Sequence, residues 1–194
     1  MARSKEFDMN LVLHKAMEVF GHYGYEGTSL PILLEGLGIA RQSLYDTYGT
    51  KKDLFIKAVK HYVNEKSSAV VVHLEKSESV KEAIHAIFRE IVFVLQDEDR
   101  RKECFILYSA IDQVPHEPEI AALFEEDRNR LERAFYEALV RAKQTQELST
   151  DQDLQALARY LYHSRYALTQ VAKLTNDPKV LEEITTVTLS TLEA

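Results

Sequence analysis

Apolar residues in this chain return at intervals of three and four almost from end to end, and little interrupts them. That interval is the mark of helices with one buried side. Only 6 glycines and 4 prolines stand among 194 residues to break it, so the expected class is all-α. A hydrophobic content of 45% suffices for a core in one domain or two small ones closely packed. The opening "MARSKEFDMN" lacks the apolar stretch of a signal peptide, and no apolar run approaches the roughly 18 residues of a membrane span. A cytoplasmic protein with no membrane partner is expected. A single cysteine, Cys104, excludes an intramolecular disulfide framework and fits a reducing compartment.

The first fifty residues read as three helices. Val12, Ala16, Val19, Phe20 and Tyr23 trace the first, ending near Gly24, and Phe7 extends its apolar face by a turn. Thr28 stands where an N-cap would, Pro31 falls in the following first turn, and Leu30, Leu33, Leu34 and Leu37 supply a buried side. Gly38 then breaks the helix, and a third runs from about Ala40 to Asp46, anchored by Ile39, Leu44 and Tyr48. Helix, glycine turn, and second helix with an apolar rear and a polar front is the helix-turn-helix arrangement, whose second member enters a DNA major groove.

Charge agrees with this only when read locally. The whole chain carries −7, but residues 1–66 hold nine Lys/Arg against eight Asp/Glu, so the acidity lies further on. Between 39 and 60, five basic residues face two acidic ones. Screening confines distant charge to about 8–10 Å, which lets so small an excess meet phosphates. Arg41 can donate twice to guanine and Gln42 can pair both ways with adenine, each pairing being worth roughly 1–3 kcal/mol of discrimination. Ser43, Tyr45, Thr47 and Tyr48 offer hydroxyls to phosphate oxygens, and Lys51 opens the next helix, where free N–H groups favour an anion.

The stretch "AMEVFGHYGYEGTSLPILLEGLGIARQSLYDTYGTKKDLF", residues 16–55, closely resembles the DNA-binding segment of TetR/AcrR-family transcriptional regulators, with its A..LF...GY..TS, glycine, and SLY..F..K..L pattern. The resemblance implies DNA contacts at Thr28, Ser29, Arg41, Gln42, Ser43, Tyr45, Thr47, Tyr48 and Lys51. Four positions depart from the pattern or sit awkwardly in it. Ala40 replaces a capping Ser or Thr, at a cost of about 1 kcal/mol. Tyr48 replaces a usual Phe, and Thr47 a frequent His or Tyr. Asp46 would be repelled by phosphates, although it can accept from cytosine or orient Arg41.

Beyond residue 50 the chemistry changes, dividing the chain into a DNA-binding domain, 1–50, and a helical domain, 51–194. A long helix is expected from Lys51 to Lys76, then one on Val80, Ile84, Ile87, Phe88, Ile91, Val94 and Leu95 capped by Ser79. Others follow at about Glu103 to Gln113 and Glu117 to Gln146, then through Leu154, Leu157, Leu161 and Leu168. The threonine-rich "EEITTVTLSTL" suits a strand by propensity, but context favours a helix from Asp177. It carries apolar residues on two sides and so needs two partners.

The resemblance implies a homodimer through the last two helices, which would place two readers about 34–36 Å apart on a two-fold operator. It also implies a cavity for an unknown small-molecule effector. His85, Phe88, Cys104, Phe105, Tyr108, Phe124, Arg128, Tyr162, His163 and Tyr166 are the residues such a cavity would use, joining aromatic walls to a few polar directors. The apolar interval 120, 124, 131 brings either Asp127 or Arg128 near the buried side, where a charge requires a partner or a ligand. Cys104 reads either as a redox sensor or as a buried structural thiol. The expected function is a ligand-responsive DNA-binding regulator, a repressor released from a palindromic operator by its effector. The alternative is a helical protein-interaction module whose DNA affinity has been lost. No HExxH, GxSxG or glycine-rich phosphate loop occurs, so neither an enzyme nor a cofactor or metal is expected.

Overall fold

A computed structural model describes residues 9–149 and 151–193 of the chain; Phe7 lies outside them. Among the described residues all regular structure is helical, which places the chain in the all-α class. The helices are α1 (Met9–Gly27), α2 (Leu30–Leu37), α3 (Arg41–Tyr48), α4 (Lys51–Lys76), α5 (Val80–Gln96), α6 (Arg101–Cys104), α7 (Ile106–Gln113), α8 (Pro118–Gln144), α9 (Leu154–Leu174) and α10 (Pro178–Ser190). They form two compact units. One contains the chain up to Val63 together with Lys102–Ala121, and the other Asn64–Arg101 with Ala122 onward.

In the first unit α1 buries Val12, Ala16, Met17 and Phe20, and the Phe20 ring meets the Phe55 ring of α4 edge-on, with centroids 4.9 Å apart. Tyr23, expected on that face, is half exposed, and Gly24 just after it takes φ 73° and kinks the helix. Gly21 allows α1 to approach the start of α7. A Cβ there would lie 2.6 Å from the Lys102 carbonyl oxygen, a contact with backbone that cannot give way. The Ser109 hydroxyl seals the same contact by donating to the Phe20 carbonyl at 2.7 Å.

The helix starts refine the sequence reading. The cap of α2 is Ser29, not Thr28: Ser29 has extended backbone and its Oγ accepts from the Ile32 N–H, which moves Pro31 to the second helical position. Helix α3 runs on to Tyr48, two residues past its expected end. The single helix expected over 103–113 is divided at Phe105 into α6 and α7.

In the second unit, Val70, Leu74, Ile84, Phe88, Leu131, Phe135, Leu161, Leu168 and Leu181 are core residues. Ser79 caps α5 as the sequence suggests, but it has help from far along the chain. The Glu147 carboxylate accepts from the Ser79 hydroxyl at 2.5 Å and from the Lys81 and Val80 N–H groups at 2.8 and 3.0 Å. It thus satisfies two of the four free donors that any helix start exposes. The threonine-rich C-terminus is the helix α10, begun by Asp177, whose carboxylate accepts from the Lys179 N–H at 3.0 Å, and by Pro178 in the first turn.

Candidate nucleic-acid interface

An eight-residue helix is too short to persist alone, so α3 must be held by what lies behind it. Leu44 is fully buried and Tyr48 is 2% exposed, and these two fix its rear face. Gly38, at φ 68°, closes α2 in the left-handed conformation and lets the chain turn directly into α3. Ala40 has the extended backbone of a cap but no side chain to fill the role, as its identity predicts.

Arg41, Gln42, Tyr45 and Asp46 are all exposed on the front of α3. The Arg41 guanidinium lies over the Tyr45 ring, 5.6 Å from its centroid. The Gln42 Nε2 donates to Asp46 Oδ1 at 2.7 Å, so Asp46 orients Gln42 and not Arg41. Ser29 is exposed at the start of α2, and Ser43 and Thr47 are half-buried beside the front face.

Three candidates face inward instead. Thr28 is fully buried, and its hydroxyl donates to the Gly24 carbonyl at 2.6 Å, closing the turn between α1 and α2. The Tyr48 hydroxyl is taken by the Met9 carbonyl at 3.2 Å, so it braces α3 against the start of α1 and is not free for a phosphate. Lys51 is half-buried; its ammonium donates to the Tyr25 and Thr28 carbonyls at 2.8 and 2.9 Å and sits 4.3 Å from the Tyr25 ring centroid. It caps the end of α1. At the start of α4 the Asp53 carboxylate accepts from the Thr50 N–H at 2.8 Å and the Thr50 hydroxyl at 2.7 Å, bonds that hold its pKa below the usual carboxylate range.

The expected effector residues fall in both units. Cys104, Phe105 and Tyr108 belong to the first unit, and His85, Phe88, Phe124, Arg128, Tyr162, His163 and Tyr166 to the second. Phe88 is fully buried core, and His85 is half-buried beside it on α5. Of the neighbours Asp127 and Arg128, Asp127 takes the inward position on α8 at 4% exposed, and Arg128 is exposed and lies 3.8 Å from Glu125. Tyr162 packs edge-on against His163 and Tyr166 at centroid distances of 4.9 and 5.2 Å, and Phe124 against Tyr166 at 6.2 Å. The Asp127 carboxylate accepts from the Tyr166 hydroxyl at 2.7 Å, the Tyr162 hydroxyl at 3.3 Å and the Ser67 hydroxyl. Burial first, and the Asp127 charge besides, push both phenols above the ordinary tyrosine range. Sequence reasoning missed Ser67, for which no signal existed, and Arg165, for which one did. Arg165 interrupts the apolar line of α9 midway between Leu161 and Leu168.

Residues 12–58 match the family model described as bacterial regulatory proteins, tetR family. The HTH-type transcriptional regulator YezE of Bacillus subtilis is 57% identical over the full length of both chains. The HTH-type transcriptional repressor ComR of Escherichia coli is 29% identical over 82% of this chain and 76% of its own. Among solved structures, the TetR family transcriptional regulator CifR in complex with 26-bp double-strand operator DNA superposes with a TM-score of 0.81. It is 27% identical and the match covers 97% of this chain and 98% of that one. A full-length relative at this identity, a family match over the helix-turn-helix and the shared fold together show that the chain belongs to the TetR family of helix-turn-helix transcriptional regulators.

Proposed function

We propose that this protein is a repressor that binds a palindromic operator as a homodimer and is released by a small-molecule effector. The carrying observation is the front of α3: Arg41 and Gln42 stand in solvent on a helix whose rear is locked by Leu44 and Tyr48. Arg41 and Gln42 read base edges, while Ser29, Ser43, Tyr45 and Thr47 touch the backbone. The operator complex of CifR and the repressor named among the relatives support the reading. Residues 1–50 act as the DNA-binding domain and 51–194 as the effector-binding and dimerisation domain of a cytoplasmic protein.

Dimerisation through α9 and α10 is supported by apolar side chains that the single chain leaves uncovered: Tyr160, Leu174 and Val187 are 43%, 77% and 65% exposed. An isologous pairing would bury both copies of each and space the two α3 helices by about one turn of DNA. Effector binding then favours a form in which that spacing is wrong, and operator affinity falls.

The test is recovery of chromosomal fragments by the purified protein, followed by gel shifts on the recovered sequence. A two-fold symmetric site is expected, with affinity falling steeply as salt rises. Arg41→Ala should weaken binding roughly 10- to 100-fold, the equivalent of about 1–3 kcal/mol. Failure to enrich any sequence at low salt would leave the fold standing and remove the function.

A further inference from the structure

The inward face of α9 is built from Ala158, Leu161, Leu168 and Ala172, all buried, and the position that completes this line is Arg165. A helix carries residues four, three and seven apart on one side, so the guanidinium is aimed into the second unit's core and not away from it. Its Nε and Nη1 are both sealed from solvent, and neither has a hydrogen-bond partner among the described residues. Three N–H bonds of a permanent cation are therefore buried without an acceptor, and a buried donor left unmet on a charged group costs more than one on a neutral group.

The nearest buried anion does not answer this. Asp127 is already met by the hydroxyls of Ser67, Tyr162 and Tyr166, and it forms no ion pair with Arg165. The three donors hold the carboxylate and fix the two tyrosine rings, which lie within one turn of Arg165 on either side along α9 and make an edge-to-face aromatic group with Phe124 of α8. The unmet need is for lone pairs, not for positive charge. A cationic ligand would be repelled by Arg165 and would find the Asp127 oxygens occupied.

We infer that Arg165 is the anchor for an anionic effector, a monocarboxylate with an aromatic or apolar body, held by its carboxylate on the guanidinium and flanked by Phe124, Tyr162 and Tyr166. Asp127 acts as a positioning residue through the two tyrosine hydroxyls. This assignment rests on the proposed effector response, and it names the class of molecule that produces it.

The experiment is isothermal titration of the full chain with benzoate, phenylacetate and octanoate, with benzamide and benzylamine as uncharged and cationic comparisons, alongside thermal melts and operator gel shifts. At least one of the three carboxylates should bind and raise the melting temperature, and both comparisons should fail to. Arg165→Met should lose at least about tenfold in affinity for that carboxylate while its unliganded melting temperature stays equal or rises, because an unmet buried charge has been replaced by an apolar chain of similar length. Arg165→Lys, which keeps the charge, should retain part of the binding. The inference is overturned if no carboxylate binds, if Arg165→Met binds as well as the parent, or if benzylamine binds in their place. It is also overturned if Arg165→Met melts well below the parent, for then the guanidinium serves an internal bond or ordered water only. Gel shifts separate the two readings: operator binding that ignores all three carboxylates sinks this inference alone, whereas absence of operator binding sinks the proposed function.

Discussion

Lys51 is the residue whose role sequence and structure read most differently, and Lys51→Met separates the two. As a phosphate contact it would add to operator affinity and leave folding alone. The structure ties its ammonium to the carbonyls of Tyr25 and Thr28 at 2.8 and 2.9 Å and to the face of Tyr25. Each charge-assisted bond is worth about 1.5–3 kcal/mol when fully shielded. Lys51 is only half-buried, so solvent screening cuts the pair, with the ring contact included, to about 2–3 kcal/mol in all. Methionine keeps most of the aliphatic stem, so the loss reports the ammonium. Urea unfolding followed by tyrosine fluorescence should show an unfolding free energy lower by that amount, seen as a lower midpoint. A parallel measurement on the recovered operator gives the slope of log affinity against log salt, which changes by about 0.9 for each phosphate contact removed. The brace predicts a destabilised protein whose slope is the parent's. A slope reduced by nearly one unit in a protein of unchanged stability would refute the structural account.

Asp46→Ala frees the Gln42 carboxamide from its 2.7 Å bond and removes a charge facing the groove, so overall affinity should rise a few-fold while base preference opposite Gln42 broadens, as read by selection from randomised operators. Ala40→Ser supplies the missing cap of α3 and should stabilise the first unit by about 1 kcal/mol in the same urea assay. Glu147→Gln weakens the closure of α5 by about 1 kcal/mol. Burial alone would raise the Glu147 pKa, but bonds from Ser79 and the Lys81 and Val80 N–H groups outweigh it and lower the value from 4.5. The sign follows: the lowered value stabilises the folded chain above the unfolded pKa, and that contribution is lost as pH falls through the folded one. Between about pH 6 and 3 the parent should therefore lose more stability than Glu147→Gln, measured by melts across that range.

Much of the fold was legible because helices announce themselves by period. The limits of α4 and the cap at Ser79 followed from local pattern, whereas the helix from Asp177 followed from context against the strand propensity of its threonines. Thr28 and Ser29 were confused because either hydroxyl suits a cap, and the choice is made by Gly24, which turns α1 so that the Thr28 hydroxyl reaches its carbonyl. Glu147 could not have been assigned to α5, 67 residues away, by any periodic signal. In the second unit Asp127 was half-read, as one of two neighbours that must point inward. Arg165 went unread because a line of leucines with one gap still looks like a line.

The interface candidates that turn inward share a cause. A motif dense in hydroxyls and ammonium groups must do two jobs, since the short helix it presents cannot hold its own orientation. Of the nine residues carried over from the family pattern, Thr28, Tyr48 and Lys51 spend their polar atoms on backbone carbonyls at 2.6, 3.2 and 2.8 Å, all of them behind or below α3. Sequence records only that such groups are present, because a donor that braces and a donor that reads look alike until depth is known. Depth divides them sharply: Arg41 and Gln42 stand in solvent, while Thr28 and Tyr48 are 0% and 2% exposed. Changes at the buried pair should therefore weaken every operator alike by loosening α3, and changes at the exposed pair should weaken one base and spare the rest. The two sets can be told apart by the pattern of their effects across operator variants without any measurement of where the side chains lie.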